Sequence, residues 1–282
     1  MQSAIASVRG DAPWVAFGGW LVAVTDPLRA RTELPSAGRR QAVWVRRALV
    51  AAALLGLFVV AAGAIALVLT PSVDDAEHRV QSAALAQRSN DRDEPVPPRF
   101  AMALVATEDS RFYSHHGVDT LGVMRATTGL LQQQESGGST LDQQLAKLLY
   151  RGSNPGTLAK VEEVGLGVKI DTTYPKAQIL EMYAQAAYFG HGFYGLHDAA
   201  CGYFNVVPAQ LSWTQASTLA GLVQAPSSYD PIAHPKLARQ RQRHVLDRLV
   251  AVGDLALDEA SAILMQPLGL NSGGPPVPGC AS

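Results

Sequence analysis

Apolar residues recur every three or four positions through 99–113, 119–134, 140–150, 157–171, 175–188, 208–223 and 235–252. That spacing follows the 3.6-residue turn of an α-helix and predicts amphipathic helices over these stretches. No segment alternates polar and apolar residues well enough to predict a strand, so the expected class is mainly α. Two regions break the pattern. Residues 48–69 (ALVAAALLGLFVVAAGAIALVL) carry no charge and are apolar on every face. A run this long crosses a hydrocarbon core of about 30 Å and reads as one transmembrane helix, too long and too far along the chain for a cleaved signal peptide. Residues 70–98 are polar and end in EPVPP, where prolines oppose a regular helix, so they read as a linker.

The expected organisation is residues 1–47 before the membrane, the span at 48–69, the linker at 70–98, a folded domain at 99–255 and a tail at 256–282. The tail's end, NSGGPPVPGCAS, is rich in Gly and Pro and reads as disordered. Before the span, residues 12–25 are apolar, contain two tryptophans and are too short to cross a bilayer. An interfacial contact and a loosely ordered tail are equal readings for them.

Charge orients the chain. Arg39, Arg40, Arg46 and Arg47 precede the span, whereas Asp74, Asp75 and Glu77 follow it. The positive-inside rule then puts the N-terminus in the cytoplasm and the folded domain outside, as a single-pass protein of the cytoplasmic (inner) membrane. Over the whole chain 23 basic residues meet 24 acidic ones, a net charge of -1, and no global field points to nucleic acid. The two cysteines, Cys201 and Cys280, stand in different contexts, which argues against a disulfide framework and a cysteine-based zinc site.

The chemistry concentrates in three blocks. In the first helix Phe100, Leu104, Glu108 and Phe112 are spaced by four, which places a carboxylate on the stripe that faces the core. Either burial tunes Glu108 for proton transfer, or it forms a structural ion pair with an arginine such as Arg125. Periodicity alone does not separate these readings. In the second block, Gly137 to Lys147, Thr140 and Gln143 form a capping-box pattern that starts a helix after a glycine pair. The exposed N–H groups of a helix start, with Lys147 one turn beyond Gln143, suit a phosphate or pyrophosphate. An ordinary capped helix with a solvated lysine is the plainer reading. The third block is Lys160-Val161-Glu162-Glu163.

Together these blocks resemble the signatures of the peptidoglycan glycosyltransferases, glycosyltransferase family fifty-one. These are the transglycosylase domains of penicillin-binding proteins and their monofunctional relatives. Glu108-Asp109-Ser110-Arg111-Phe112-Tyr113-Ser114-His115-His116-Gly117 matches E-D-x-x-F-x-x-H-x-G at every fixed position, Gly137 to Lys147 is similar to G-x-S-T-I-T-Q-Q-x-x-K, and Lys160 to Glu163 to R-K-x-x-E. Further family-like stretches run through Lys176–Tyr183 and Tyr188–Gly195 to Arg241 and Leu246, so the resemblance covers about 99–252. Asp142, Leu148, Ala159 and Gln185 depart from the family's usual Thr, Asn, Arg and Asn.

The resemblance implies a lysozyme-like, two-lobed helical domain that polymerises lipid II into glycan strands by inverting transfer, with release of lipid pyrophosphate. It makes Glu108 the base and Glu163 the second acid, with Glu162 one residue out of register. Asp109, Phe112, His115, Ser139, Thr140, Gln143, Gln144, Lys147 and Lys160 are the expected substrate-binding residues. No organic cofactor is expected; a divalent cation, Mg2+ or Mn2+, would sit at Glu163. Asp142 would either repel a pyrophosphate or help hold such a cation. Expected partners are lipid II, the growing strand, the membrane and other cell-wall synthesis proteins. Residues 253–282 hold no S-x-x-K motif in a domain-sized context, so no transpeptidase is expected. Two rival readings are an inactive membrane-tethered peptidoglycan-binding scaffold and a lysozyme-like enzyme that cleaves glycan.

Overall fold

A computed structural model describes residues 14–17, 20–23, 36–87, 89, 94–122, 138–150 and 159–280. The chain divides into two compact units, Met1–Val60 and Ala61–Ser282. The first unit holds a hairpin that periodicity did not predict. Its strands β1 (Trp14–Phe17) and β2 (Trp20–Ala23) pair antiparallel with Trp14 opposite Ala23. A continuous apolar run cannot be assigned by alternation, which is why no strand was expected there.

Helix α1 (Ser36–Leu69) begins well before the predicted span. Its Gln41–Leu69 part reaches a mean hydropathy of 2.7 with none of that window buried. Such a surface is unstable in water and suits lipid, so the expected apolar helix is present and bare of protein cover.

The second unit is built on helices α2 (Ala76–Gln87), α3 (Pro98–Glu108), α4 (Leu141–Tyr150), α5 (Ala159–Thr173), α6 (Lys176–Ala186), α7 (Leu196–Phe204), α8 (Trp213–Leu222), α9 (Pro235–Val252) and α10 (Leu257–Met265). Short 3-10 turns occupy Phe112–Ser114 and Pro208–Gln210. Most of the predicted helices recur with shifted ends; α7 and α10 were not foreseen. Of the helix expected at 119–134, residues 120–122 are helical and the rest lies outside the described residues.

The helices gather in two packed sets. In one, α3 lies against α8 and α9, with α10 on α9; in the other, α4 lies against α5 and α6, with α2 on α6. Pro98 at the first turn presets α3, because its missing N–H is one that a helix start leaves unpaired anyway. Phe100, Ala103, Leu104 and Ala106 then bury one face, and Phe100 meets Phe189 at a 6.0 Å ring separation. Each fully buried phenylalanine contributes about 1.5–3 kcal/mol. Ser212 starts α8 with a capping box to Gln215, which satisfies two end groups of that helix.

Three expectations are corrected. The stretch read as linker contains α2, whose Ala76 and Val80 are buried, so its polar residues cover a helix rather than fill a coil. The tail read as disordered is pinned: Asn271 N–H donates to Tyr203 O, Val277 N–H to Asn205 Oδ1, and Asn205 Nδ2 to Pro275 O. The cysteines do form a disulfide, with Cα atoms 5.3 Å apart across a sequence separation of 79. Composition cannot reveal such a return of the chain; only the folded path does.

Candidate active site

Helix α3 stops at Glu108 because Asp109 leaves helical geometry (φ −154°, ψ 71°) while its N–H still bonds Val105 O. Glu108 thus ends up on the last turn, its side chain 13% exposed. It lines a cleft of about 320 Å³ with Ser139, Gln143, Gln144, Lys147, Leu148, Glu163, Tyr183, Val223 and Gln224. The cleft brings together residues from α3, along α4, from the first turns of α5, from α6 and from just after α8.

Both carboxylate oxygens of Glu108 are held. Arg241 Nη2 donates to Oε1 at 2.9 Å and Gln144 Nε2 to Oε2 at 3.2 Å. Tyr183 OH donates to Gln144 Oε1 at 2.8 Å, which turns the amide so that its N–H groups face Glu108. Burial pushes the Glu108 carboxyl above its ordinary value, restrained by the Arg241 charge and the Gln144 and Arg241 hydrogen bonds; the Asp109 charge adds to the rise. Burial and the Glu108 charge also push the Tyr183 phenol up, so it keeps its proton. A carboxylate raised in this way and open to a cleft can accept a proton from a bound hydroxyl.

Arg241 was not among the expected site residues, and Arg125, the partner considered for Glu108, lies outside the described residues. A signal for Arg241 existed. It interrupts the buried stripe of α9 between Ala238 and Val245, as Glu108 interrupts that of α3, and two opposite charges on apolar stripes invite pairing. The approach also needs Gly221: a Cβ there would lie 2.9 Å from Arg241 Cγ, and Arg241 Nε donates to Gly221 O.

Four residues expected to bind substrate are not among those that line this cleft. Phe112 is fully buried, and Asp109, His115 and Thr140 are nearly so. They hold neighbouring elements together. Asp109 Oδ2 accepts from Leu141 N–H at 3.0 Å, which caps α4, and its carboxylate contacts His115 Nε2 at 2.9 Å. Thr140 Oγ1 accepts from Gln143 N–H and donates to Gly117 O. The Gln143 side chain reaches elsewhere as well: Nε2 donates to Gly117 O and Oε1 accepts from Lys160 Nζ. Leu141 and Gln143 N–H are therefore already bonded, so the α4 start offers an anion less than the sequence suggested; side chains must supply what those groups do not. Gly117 has φ +72°, and a Cβ there would lie 2.7 Å from Gly167 O, so only glycine fits this junction.

Asp142, the added carboxylate, has no exposure at all. It pairs with Lys176 Nζ at 3.1 Å, which also bonds Asp171 at 2.5 Å. It therefore neither lines the cleft nor faces a pyrophosphate there. Burial pushes its carboxyl above the ordinary value, against the Lys176 charge and hydrogen bond. Asp109, His115 and Asp142 each offer a ligand atom within 4.8 Å of the others. His115, however, turns Nε2 to Asp109 and Nδ1 to Asp142 at 4.0 Å, and Lys176 already serves Asp142 as cation.

On the other wall, Lys160 Nζ donates to Ser139 Oγ at 2.8 Å, to Glu163 Oε2 at 3.1 Å and to Gln143 Oε1 at 3.2 Å. Glu163 is buried and lines the cleft, whereas its neighbour Glu162 is exposed. That separates the two acids as the helical register demands. Lys147 is exposed at the cleft rim, and Leu148 leaves a less polar wall there.

Residues 77–250 match the family described as Transglycosylase. The chain belongs to the transglycosylase family. Among curated transglycosylase relatives, a Cupriavidus necator protein named for this activity is 39% identical over 176 residues, covering 62% of this chain and 76% of its own length. Penicillin-binding protein 1F of Bacillus subtilis is 36% identical and penicillin-binding protein 1A of Neisseria flavescens 35%; the chain spans 25% and 29% of their lengths. A solved penicillin-binding protein 1A from Haemophilus influenzae is 21% identical, covers 62% of this chain and 17% of its own, and superposes with a TM-score of 0.38.

Proposed function

We propose that this transglycosylase polymerises lipid II at the outer face of the cytoplasmic membrane, with Glu108 as general base. The supporting observation is a half-buried carboxylate, held on both oxygens and raised by burial, that opens on a cleft with a lysine at its rim. Glu108 takes the proton of the acceptor sugar hydroxyl as that oxygen attacks the donor's anomeric carbon from the face opposite the leaving group. The bond to the lipid pyrophosphate breaks with inversion, and the leaving charge falls toward Lys147 and Lys160. The donor arrives already activated in the membrane, so no nucleotide sugar is needed.

Glu163 Oε2, Ser139 Oγ and Gln143 Oε1 converge on the Lys160 ammonium. These hard oxygen donors fit Mg2+ or Mn2+, provided Lys160 swings aside. Bound there, the cation would add positive charge beside the pyrophosphate. The orientation rests on the basic flank before the span, the acidic flank after it, and the Cys201–Cys280 disulfide, which needs an oxidising compartment.

The test is polymerisation of lipid II by purified full-length protein in vesicles, with Mg2+, with Mn2+ and with chelator. Strands should lengthen with wild type and not with Glu108→Gln. Shortening of preformed strands, or binding without polymerisation by wild type, would sink the assignment.

A further inference from the structure

The disulfide that ties the chain end to α7 has an unusual neighbour. His197, on the first turn of α7, is buried, with Nε2 3.0 Å from Gly279 O and 3.6 Å from Cys201 Sγ. A ring nitrogen facing a carbonyl carries the proton, so Nε2–H donates to Gly279 O and faces the sulfur. His197 Nδ1 is buried without a hydrogen-bond partner and lies 3.8 Å from Glu94 Oε2. Both cysteines line a cavity of about 310 Å³ with Phe193, Asp198 and Gly202, which admits a small thiol.

We propose that the Cys201–Cys280 disulfide is a site of reversible exchange with a dithiol oxidoreductase, opened at Cys280 with Cys201 as the leaving sulfur. The reductant's thiolate forms a bond to Cys280 Sγ, and the S–S pair leaves with Cys201 Sγ. A leaving thiolate beside a proton donor departs faster, and the donor stands at Cys201. The reductant's second thiolate then releases Cys280 from the mixed disulfide. Two electrons and two protons pass to the cysteines, and the reductant becomes a disulfide. Opening leaves hydrogen bonds to Tyr203 and Asn205 to hold the tail.

A physiological dithiol partner outside the cytoplasm presupposes the orientation proposed above; the chemistry of the bond does not. Oxidised, purified full-length protein is pulsed with reduced glutathione, acid-quenched and mapped by peptide mass. The adduct is expected on Cys280. Opening by dithiothreitol, followed by thiol labelling, should slow about tenfold in His197→Asn. An adduct on Cys201, or an unchanged rate in a folded His197→Asn, would overturn the proposal. If that variant does not fold, the wild-type adduct alone decides. Neither readout involves glycan, so failure here is distinct from failure of the glycosyltransferase reading.

Discussion

Replacing Arg241 by glutamine should move the pH dependence of catalysis rather than simply lower it. Burial raises the Glu108 carboxyl, and the Arg241 charge is the largest restraint on that rise. A hydrogen bond to a charged group contributes roughly 1.5–3 kcal/mol. The Glu108 side chain is 13% exposed and Arg241 7%, so solvent screens little of it. Without the Arg241 charge and hydrogen bond the Glu108 carboxyl rises further. A general base works ionised, so the acid limb of kcat/KM moves to higher pH and the alkaline plateau is largely kept. The measurement is initial rate of lipid II polymerisation from pH 5 to 9 for wild type, Arg241→Gln and Arg241→Lys, with thermal melting to confirm folding. An unmoved limb would refute the coupling. A uniform loss at every pH would show that Arg241 only shapes the cleft.

Three further outcomes follow from the packing. Lys176→Met leaves Asp142 and Asp171 without their shared cation and should cost about 3–5 kcal/mol in denaturant unfolding. Asp142→Asn should act oppositely. The folded carboxyl is raised, so its contribution is fully present below the unfolded value and lost as pH rises through the folded one; the variant's melting advantage should grow from pH 4 toward neutrality, and a constant difference would count against it. Gly117→Ala forces a Cβ to 2.7 Å from Gly167 O at φ +72° and should cost more than about 1 kcal/mol, read by urea melts. The double variant Cys201→Ser with Cys280→Ser should lose roughly 2–4 kcal/mol of stability by the same assay and keep its polymerising activity.

Which of these features the sequence could announce depended on distance along the chain. Glu108, Gln144, Lys147 and Glu163 sit within short blocks whose helical register alone puts them on defined faces, and all four line the cleft. Arg241 is 133 residues from its partner; periodicity marks it as anomalous but names no counterpart. Asp109 and His115 are expected to bind substrate because they fill fixed positions of the family motif that begins at Glu108. Their burial is visible only once α4 arrives to be capped. Asp142 misled for the same reason, since Lys176 meets it from another helix. The tail misled differently: Gly and Pro forbid regular helix, but they do not forbid order when a disulfide and Asn205 hold the chain.

Lys169 donates from α5 to the carbonyls of Thr70 and Pro71, immediately after α1 ends. Only residues 70–75 separate α1 from α2, a leash of at most about 20 Å when fully drawn out. Where α1 lodges in a bilayer, a connection this short keeps the catalytic unit within that reach of its surface. Encounter becomes a surface problem governed by lateral diffusion, so turnover should follow the number of donor lipids per unit area of bilayer. Diluting the vesicles at fixed lipid composition should leave it unchanged.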